Sequence, residues 1–203
     1  MYLYLIRHGE TDWNTVHRLQ GQSDIPLNAQ GIRLAQITAA AMAEIPFDRA
    51  FTSPLIRAKE TARIIMGDRQ APIIEEERLK EISFGKLEGF IYDPQKGIVE
   101  APQLVDFFEH PERYQCPEGG ESITHLMKRT SGFLKELVAT EAYEEETILI
   151  ACHGAALRGL LSEVKQVALA DFWKGGVHKN CGVTILEAHH GHVTILEEGK
   201  VYD

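Results

Sequence analysis

The architecture of this chain follows from the stretch YLYLIRHGET at residues 2–11, where an apolar run leads directly into Arg7, His8 and Gly9. Aromatic and β-branched residues dominate the run, which predicts a buried strand. Ligands of open α/β sheets bind outside the carboxyl ends of the strands, so Arg7 and His8 are expected to face a crevice. A guanidinium offers planar donors to phosphate or carboxylate oxygens, and an imidazole can act as base, ligand or nucleophile. Alone, this triplet is more often an exposed strand end with two solvated side chains.

A second stretch, TILIACHG at residues 147–154, repeats the arrangement, because an apolar strand again ends in a histidine and a glycine. Between the two, TSPLIR at residues 52–57 opens a predicted helix and places Arg57 in its first turn. The helix dipole favours anions at that end. Two histidines and two arginines are therefore expected to converge at strand ends: His8, His153, Arg7 and Arg57. This set of side chains indicates an anion site rather than a metal site.

Four motifs follow one another along the chain: RHGETDWN at residues 7–14, TSPLIRAKETA at 52–62, LKEISFGKLEG at 79–89 and HG at 153–154. They resemble the histidine phosphatase superfamily in its phosphoglycerate-mutase-like branch, over essentially the whole chain. The resemblance implies a phosphoric monoester hydrolase of the histidine acid phosphatase type, which works by double displacement through a phosphohistidine. No metal and no cofactor is expected, because an arginine cradle takes the place of Mg²⁺.

The resemblance also implies a role for each catalytic residue. His8 is the nucleophile, which must attack as neutral imidazole while a hydrogen bond holds its other nitrogen. Arg7, Arg57 and His153 are expected to bind the phosphoryl oxygens and neutralise their charge. Glu81 matches the general acid, which protonates the leaving oxygen and then accepts a proton from water. The alternative for Glu81 is a solvated surface position, since its neighbourhood is acidic.

Four further residues are predicted to bind substrate. Asn14 matches a family position that contacts the phosphoryl group, and we add Gln20, Gly21 and Gly154. Asn14 could instead form a turn or helix cap, because short polar side chains bond their own backbone well. Glu10 has no assigned chemistry and is a candidate for orienting its loop.

A competing phosphatase motif is present as well, because Cys152 and Arg158 satisfy the Cys-x5-Arg pattern of cysteine phosphatases. A cysteine of low pKa would be a competent nucleophile there. However, Gly159 stands where that class usually has a hydroxyl residue, and residues 155–157 predict a helix, which cannot wrap its amides around phosphate. Neighbouring strand residues point to opposite faces, so Cys152 and His153 are not expected to share one site.

The alternation of strands and helices predicts an α/β fold, a three-layer α/β/α sandwich with a mostly parallel central sheet, as one domain over residues 1–203. Helices are predicted at about 28–43, 55–66 and 121–140, and strands at 2–6, 49–51, 72–74 and 147–152. Glu121 or Ser122 is expected to cap the long helix. Residues 15–27 are predicted as a loop. Residues 89–117 lack a clean period and are expected to form a cap-like insertion with one short helix near 103–109.

The predicted closing hairpin pairs residues 182–187 with 192–197 around a connection at 188–191. It carries His189, His190 and His192, which invite a metal-site interpretation. Because they lie at a hairpin tip, these histidines are more simply interpreted as exposed polar residues of the turn.

Composition limits the other classes of function. A chain of 203 residues with 44% hydrophobic content can bury a full core. The net charge of −9 argues against binding to nucleic acid or to an acidic membrane surface, because both need a basic footprint. The chain begins directly with its first strand, which leaves no room for a signal peptide. The odd number of three cysteines indicates reduced thiols in a cytoplasmic protein.

The molecule that takes the phosphoryl group from His8 separates a phosphatase from a mutase. The family's mutases are longer and enclose a bisphosphate with extra basic residues, whereas residues 88–117 carry only Lys96 and Arg113 as strong cations. The segment PEGGES at 117–122 resembles the phosphatase branches, α-ribazole phosphatases among them. We therefore predict a phosphomonoesterase for a small phosphorylated metabolite. A phosphoglycerate mutase-type transferase is the alternative, and a non-catalytic phosphate-binding regulatory module is a further one. The sequence leaves the substrate and the oligomeric state open.

Overall fold

A computed structural model describes residues 1–202 and contains a six-stranded sheet and a separate two-stranded sheet. Short 3₁₀ turns lie at residues 77–79, 85–87, 94–96, 141–143 and 169–171. The helices and strands are, in chain order, β1 (Tyr2–Arg7), α1 (Asp12–Thr15), α2 (Ala29–Ala41), β2 (Arg49–Thr52), α3 (Ile56–Met66), β3 (Ile73–Glu75), β4 (Tyr92–Asp93), β5 (Ile98–Val99), α4 (Gln103–Glu109), α5 (Ile123–Val138), β6 (Thr147–Cys152), α6 (Gly154–Lys165), β7 (Val183–His189) and β8 (His192–Lys200).

The strand order of the large sheet brings the predicted site residues together. The order is β3-β2-β6-β1-β7-β8, with β1, β6, β2 and β3 parallel and an antiparallel β7–β8 hairpin at one side. In this register Arg7 lies opposite Cys152 and Thr52 lies opposite Ala151. The carboxyl ends of β1, β2 and β6 therefore meet at one edge, and the residues that follow them share that edge.

Helices cover both faces of this sheet. Leu3 and Leu5 of β1 belong to a hydrophobic cluster shared with α5 and α6, whereas Ile6 belongs to a second cluster shared with α2 and α3. All three side chains have 0% exposure. Because alternate residues of a strand face opposite sides, these two clusters are the two interlayer cores. The predicted three-layer sandwich with a mostly parallel sheet is confirmed.

Some local predictions hold and others need correction. The short helix of the insertion is α4, as predicted, and Ser122 caps α5 by accepting a hydrogen bond from the backbone N–H of His125 at 3.1 Å. The insertion also contains the pair β4–β5, which its irregular sequence did not reveal. Helix α1 was missed as well, since only one turn forms there, stabilised by a capping box between Thr11 and Asn14.

The closing hairpin is tighter than predicted. Its strands extend to His189 and from His192, so only His190 and Gly191 remain in the connection. Both have positive φ, +48° and +77°, as a two-residue hairpin turn requires. Among residues 1–202, no helix combines the length and apolarity needed to cross a membrane.

Candidate active site

His8 lies at the base of a cavity, directly after β1, and is only 3% exposed. Its Nδ1 lies 2.6 Å from the carbonyl oxygen of Gly9. A carbonyl oxygen only accepts, so Nδ1 carries the proton and Nε2 keeps its lone pair. Burial, and then the Arg57 and Arg7 guanidinium groups, lower the pKa of His8 well below its ordinary value. The imidazole is therefore neutral at physiological pH and has one defined tautomer.

The backbone around His8 is held by hydrogen bonds from three elements. The N–H of His8 donates to the carbonyl of Cys152 at 3.0 Å, and the N–H of Gly9 donates to Thr61 Oγ1 at 2.9 Å. Asn180 Nδ2 donates to the carbonyl oxygen of His8 at 3.0 Å. The backbone around His8 is thus held by contacts with β6, α3 and the loop before β7.

The loop after His8 packs tightly against the start of α2. A Cβ built on Gly31 would lie 2.1 Å from the carbonyl oxygen of Glu10, and one built on Gly9 would lie 2.6 Å from that of Gly31. Glu10 accepts hydrogen bonds from Asn28, at 3.0 Å from Nδ2 to Oε1 and at 2.9 Å from the backbone N–H to the carbonyl. Glu10 is not among the residues that line the cavity. These contacts support its interpretation as a residue that orients the loop.

Two guanidinium groups flank His8. Arg57 is completely buried, and its Nη2 and Nη1 donate to the carbonyls of Gly21 at 2.7 Å and Ser23 at 2.8 Å. Burial lowers the pKa of Arg57 to about 10, which still leaves it cationic at neutral pH. Arg7 Nη1 donates to the carbonyl of His178 at 2.5 Å, while its buried Nε has no hydrogen-bond partner among residues 1–202. An unpartnered buried N–H on a cation suits an anionic ligand.

His153 lies beside His8, at the end of the neighbouring strand β6. Its ring centroid is 5.2 Å from that of His8, but it has 0% exposure and does not line the cavity. Arg57 Nε donates to its Nδ1 at 3.1 Å, so the proton is on Nε2, which lies 2.7 Å from Ser53 Oγ. Burial, and then Arg57, lower the pKa of His153 well below its ordinary value. Both ring nitrogens of His153 therefore have partners within the protein, and the hydrogen bond at Nδ1 orients Arg57.

Glu81 reaches the cavity from the segment after the 3₁₀ turn at 77–79. Its Oε1 accepts hydrogen bonds from the N–H groups of Ile82 at 2.9 Å and Ala156 at 3.0 Å, and its Oε2 accepts one from Ala155 at 3.1 Å. The carboxylate therefore lies at the N-terminus of α6, where the helix dipole favours negative charge. It is not the solvated surface position that its acidic neighbourhood suggests.

The four predicted binding residues all line the cavity. Asn14 does so while its Oδ1 accepts from the N–H of Thr11 at 3.0 Å, so this side chain takes part in the capping box and also lines the cavity. Gln20 is 8% exposed, and its Oε1 has no partner within the described part of the chain. Gly21 has φ of +51°, and Gly154 begins α6.

The cavity has a volume of about 450 Å³, and its lining includes five aromatic rings that contact one another and form an aromatic wall. This aromatic wall was not predicted, because its members lie far apart in the chain and no local pattern links them. It is formed by Phe84, Tyr92, Phe107, Phe108 and Trp173. Asn180 was missed for the same reason.

Glu88, which accepts from Ser23 Oγ at 2.6 Å and from the N–H of Gln22 at 2.9 Å, could have been found from its place in the third motif.

The cysteine motif does not form a phosphate loop. Cys152 has 0% exposure and burial raises the pKa of its thiol. Arg158 instead donates from Nε to the carbonyl of Phe172 at 2.9 Å and from Nη2 to the carbonyl of Lys174. Neither Cys152 nor Arg158 lines the cavity around His8.

The histidines of the hairpin tip are separate from this cavity. His189 and His190 are exposed at the turn, as expected, and His190 Nδ1 lies 3.1 Å from Glu144 Oε1. The possible ligand atoms of these three residues lie within 4.8 Å of one another. His192 is outside this group.

The chain belongs to the histidine phosphatase superfamily (branch 1), whose model matches residues 3–200. It is 37% identical over 162 residues to the uncharacterized phosphatase PhoE of Bacillus subtilis (strain 168), covering 79% of this chain and 75% of that protein. It is 32% identical over 171 residues to a 2,3-bisphosphoglycerate-dependent phosphoglycerate mutase of Cytophaga hutchinsonii, covering 83% and 79%. The solved structure of Bacillus stearothermophilus YhfR superimposes with a TM-score of 0.89 at 34% identity, covering 98% and 97%. The resemblance drawn from the four motifs is thus confirmed, and the relatives include phosphatases.

Proposed function

We propose that this protein is a metal-independent phosphomonoesterase that hydrolyses a small phosphorylated metabolite through a phosphohistidine on His8. One observation carries the proposal. A buried, neutral imidazole has its Nδ1 tied to the Gly9 carbonyl and its Nε2 available, between the buried guanidinium of Arg57 and the half-buried side chain of Arg7. A neutral imidazole of fixed tautomer is what a nitrogen nucleophile requires.

The charges around His8 suit a phosphoryl group. Arg7 and Arg57 supply two positive charges, and the unpartnered Nε of Arg7 can donate to a phosphoryl oxygen. Preorganised cations in a buried site stabilise the charge on the equatorial oxygens during transfer. These guanidinium groups take the role that Mg²⁺ has in many other phosphoryl-transfer enzymes.

The reaction then has two steps. The cycle begins with Glu81 in its protonated, carboxylic acid form. Nε2 of His8 attacks phosphorus while the bond to the leaving oxygen breaks, and the Glu81 carboxyl group gives its proton to that oxygen and becomes a carboxylate. Water next attacks the phosphohistidine, the P–N bond breaks, and Glu81 accepts the proton of the water. Inorganic phosphate leaves, and both His8 and Glu81 return to their initial protonation states.

The lack of extra cations from the insertion at residues 89–117 favours hydrolysis over transfer of the phosphoryl group to a second metabolite. Neither Lys96 nor Arg113 lines the cavity, since Lys96 lies 3.0 Å from Asp93 and Arg113 lies 3.5 Å from Glu112. Three rings of the insertion line the cavity instead, those of Tyr92, Phe107 and Phe108. Beyond Arg7 and Arg57, Arg18 supplies the one further guanidinium among the described lining residues. Apolar rings bind the uncharged part of a leaving group better than a second phosphate. Mutase activity remains the alternative, because a mutase is among the relatives.

The proposal is tested by phosphate release in the presence of EDTA, for the wild type and His8→Ala. The substrates are an aryl phosphate, α-ribazole 5′-phosphate, 3-phosphoglycerate and fructose 2,6-bisphosphate. His192→Ala, which changes an exposed histidine outside the cavity, is the matched control. Release that survives chelation, is lost in His8→Ala and persists in the control supports the proposal.

The other outcomes separate the alternatives. Release that EDTA abolishes would contradict metal independence, and appreciable release by His8→Ala would place the nucleophile elsewhere. No release from any substrate, with 3-phosphoglycerate converted after a bisphosphate primer is added, would favour the mutase. Binding of phosphate with neither activity would favour the regulatory module.

A further inference from the structure

Arg129 of α5 binds the backbone that carries Glu81. Its Nη1 donates to the carbonyl oxygens of Arg78 and Lys80, both at 2.7 Å, and its Nη2 donates to that of Glu81 at 3.1 Å. One side chain thus satisfies three carbonyl groups within four residues. This segment lies outside the strands of the sheet, so Arg129 supplies hydrogen bonds that a neighbouring strand would otherwise provide.

The guanidinium of Arg129 is itself held in place. Glu121 accepts from its Nε at 2.7 Å and from its Nη2 at 2.8 Å, a bidentate pair in which the two side chains are only 9% and 14% exposed. Bidentate Arg–carboxylate pairs have a defined geometry that a single charge contact lacks. His125 Nδ1 lies 2.6 Å from the same carboxylate.

The Glu81 carbonyl has a second donor, because Gln22 Nε2 reaches it at 3.1 Å. Gln22 follows Gly21, whose carbonyl accepts from Arg57. The backbone of Glu81 therefore bonds to α5 on one side and to the loop that holds Arg57 on the other. Its side chain points from this anchored backbone to the N-terminus of α6.

We propose that Arg129 is a positioning residue for Glu81: it holds the general acid at the leaving oxygen and does not itself touch the substrate. Arg129 does not line the cavity around His8. The inference rests on the proposed function, since it assigns Arg129 a role only through the acid role of Glu81. Its removal would leave three carbonyl groups without this donor and the Glu121 carboxylate with only its contact to His125.

The test is Arg129→Gln, measured with an alkyl phosphate and with p-nitrophenyl phosphate. A poor alkyl leaving group needs the proton of Glu81, whereas p-nitrophenolate leaves with little help. The readout is kcat/KM, because it reports the phosphorylation of His8 and excludes the later hydrolysis of the phosphohistidine, in which Glu81 takes part with either substrate. Since a displacement of about 1 Å in a catalytic site can cost up to about 100-fold in rate, we expect kcat/KM for the alkyl phosphate to fall about 30-fold and kcat/KM for the aryl phosphate to fall less than about threefold.

Arg49→Gln is the matched control. Arg49 also forms a bidentate pair, with Glu146 at 2.5 Å for both bonds, but it begins β2 at the edge of the sheet opposite to the site. It should leave the ratio of alkyl to aryl rates unchanged. Arg129→Lys should restore part of the alkyl rate, because an ammonium can donate to some of the same carbonyls, and it serves in place of Arg129→Gln if that variant does not fold.

A double-mutant cycle separates positioning from a general structural effect. In a Glu81→Gln background, Arg129→Gln should cause no further loss on the alkyl phosphate, because the group it positions is already disabled. Equal losses on both substrates, or additive losses in the double variant, would overturn the inference. If Glu81→Gln itself reduced both rates equally, or if the wild type released no phosphate, the proposed function would fail instead.

Discussion

Lowering the pH from 7 to 5.5 is expected to destabilise the folded protein through two buried histidines, His8 and His153. Burial lowers the pKa of both imidazoles well below the ordinary value of 6.5. Below pH 6.5 the unfolded chain therefore binds protons that the folded protein does not bind. The sign follows directly: stability is full above about pH 6.5 and is lost as the pH falls toward the folded-state pKa values.

The expected magnitude is about 1.2 kcal/mol for each histidine between pH 7 and pH 5.5, so about 2.5 kcal/mol for the two, from an unfolded pKa of about 6.5. The lowered pKa of His178, whose main cause is also burial, adds to the loss in the same direction. Several carboxyl groups also have lowered pKa values, but their ordinary values lie near 4, so they contribute at lower pH. They are Glu76, Asp93, Glu121 and Glu163.

The assay is equilibrium unfolding in urea, followed by tryptophan fluorescence, at pH 7, 6 and 5.5 and constant ionic strength. His8→Ala and His153→Ala should each lose about 1.2 kcal/mol less than the wild type over this range. The comparison uses only the change with pH, so a cavity created by either substitution cancels. His192→Ala, at an exposed position, should lose as much as the wild type. Equal losses in all four proteins would refute the argument that His8 and His153 are buried in the neutral form.

Three further predictions use other features of the structure. Gly31→Ala should destabilise the fold by about 1–3 kcal/mol in urea unfolding and reduce turnover, because its Cβ would lie 2.1 Å from the Glu10 carbonyl oxygen. The control is Gly132→Ala, which should be neutral or stabilising because nothing lies within 4 Å of its Cβ. Cys152→Ala should keep its activity on an aryl phosphate, since the thiol lies outside the cavity, and loss of turnover with the fold intact would revive the cysteine mechanism. Trp173→Ala should raise KM for an aryl phosphate about fivefold, because the lost contact between the two aromatic rings is worth about 1 kcal/mol. An unchanged KM would show that the leaving group does not reach the aromatic wall.

Local patterns were sufficient for most of the fold. Strands β1 and β6 carry continuous apolar runs because they are buried on both faces, and such runs are visible without any tertiary information. Helix α5 shows its apolar positions at helical spacing and its cap at Ser122. Helix α1 and the β4–β5 pair were not predicted, because one turn of helix and two two-residue strands are too short to produce a period.

The positions of three predicted site residues also followed from the sequence pattern, since Arg7 ends β1, His8 follows it and Arg57 lies in the first turn of α3. The direction of each side chain did not. His153 bonds to Arg57 and Ser53 rather than facing the cavity, and this depends on which donors the fold brings to its two nitrogens. Asn14 fills a helix cap and a cavity position at once, which a single sequence pattern treats as alternatives.

The amino-acid sequence alone predicted the sandwich and the order of its main elements, because these depend on local apolar periods. It also predicted which residues meet at the strand ends, namely His8, Arg7, Arg57 and Glu81, because these stand in short motifs. Only the tertiary structure decided the tautomer and charge of His8, the aromatic wall and the link from Arg129 to Glu81. Each of these depends on groups far apart in the chain, such as Phe84 and Trp173 in one cavity wall, and on the burial that removes them from water. Burial and long-range hydrogen bonding arise only after the chain has folded, so no local pattern encodes them.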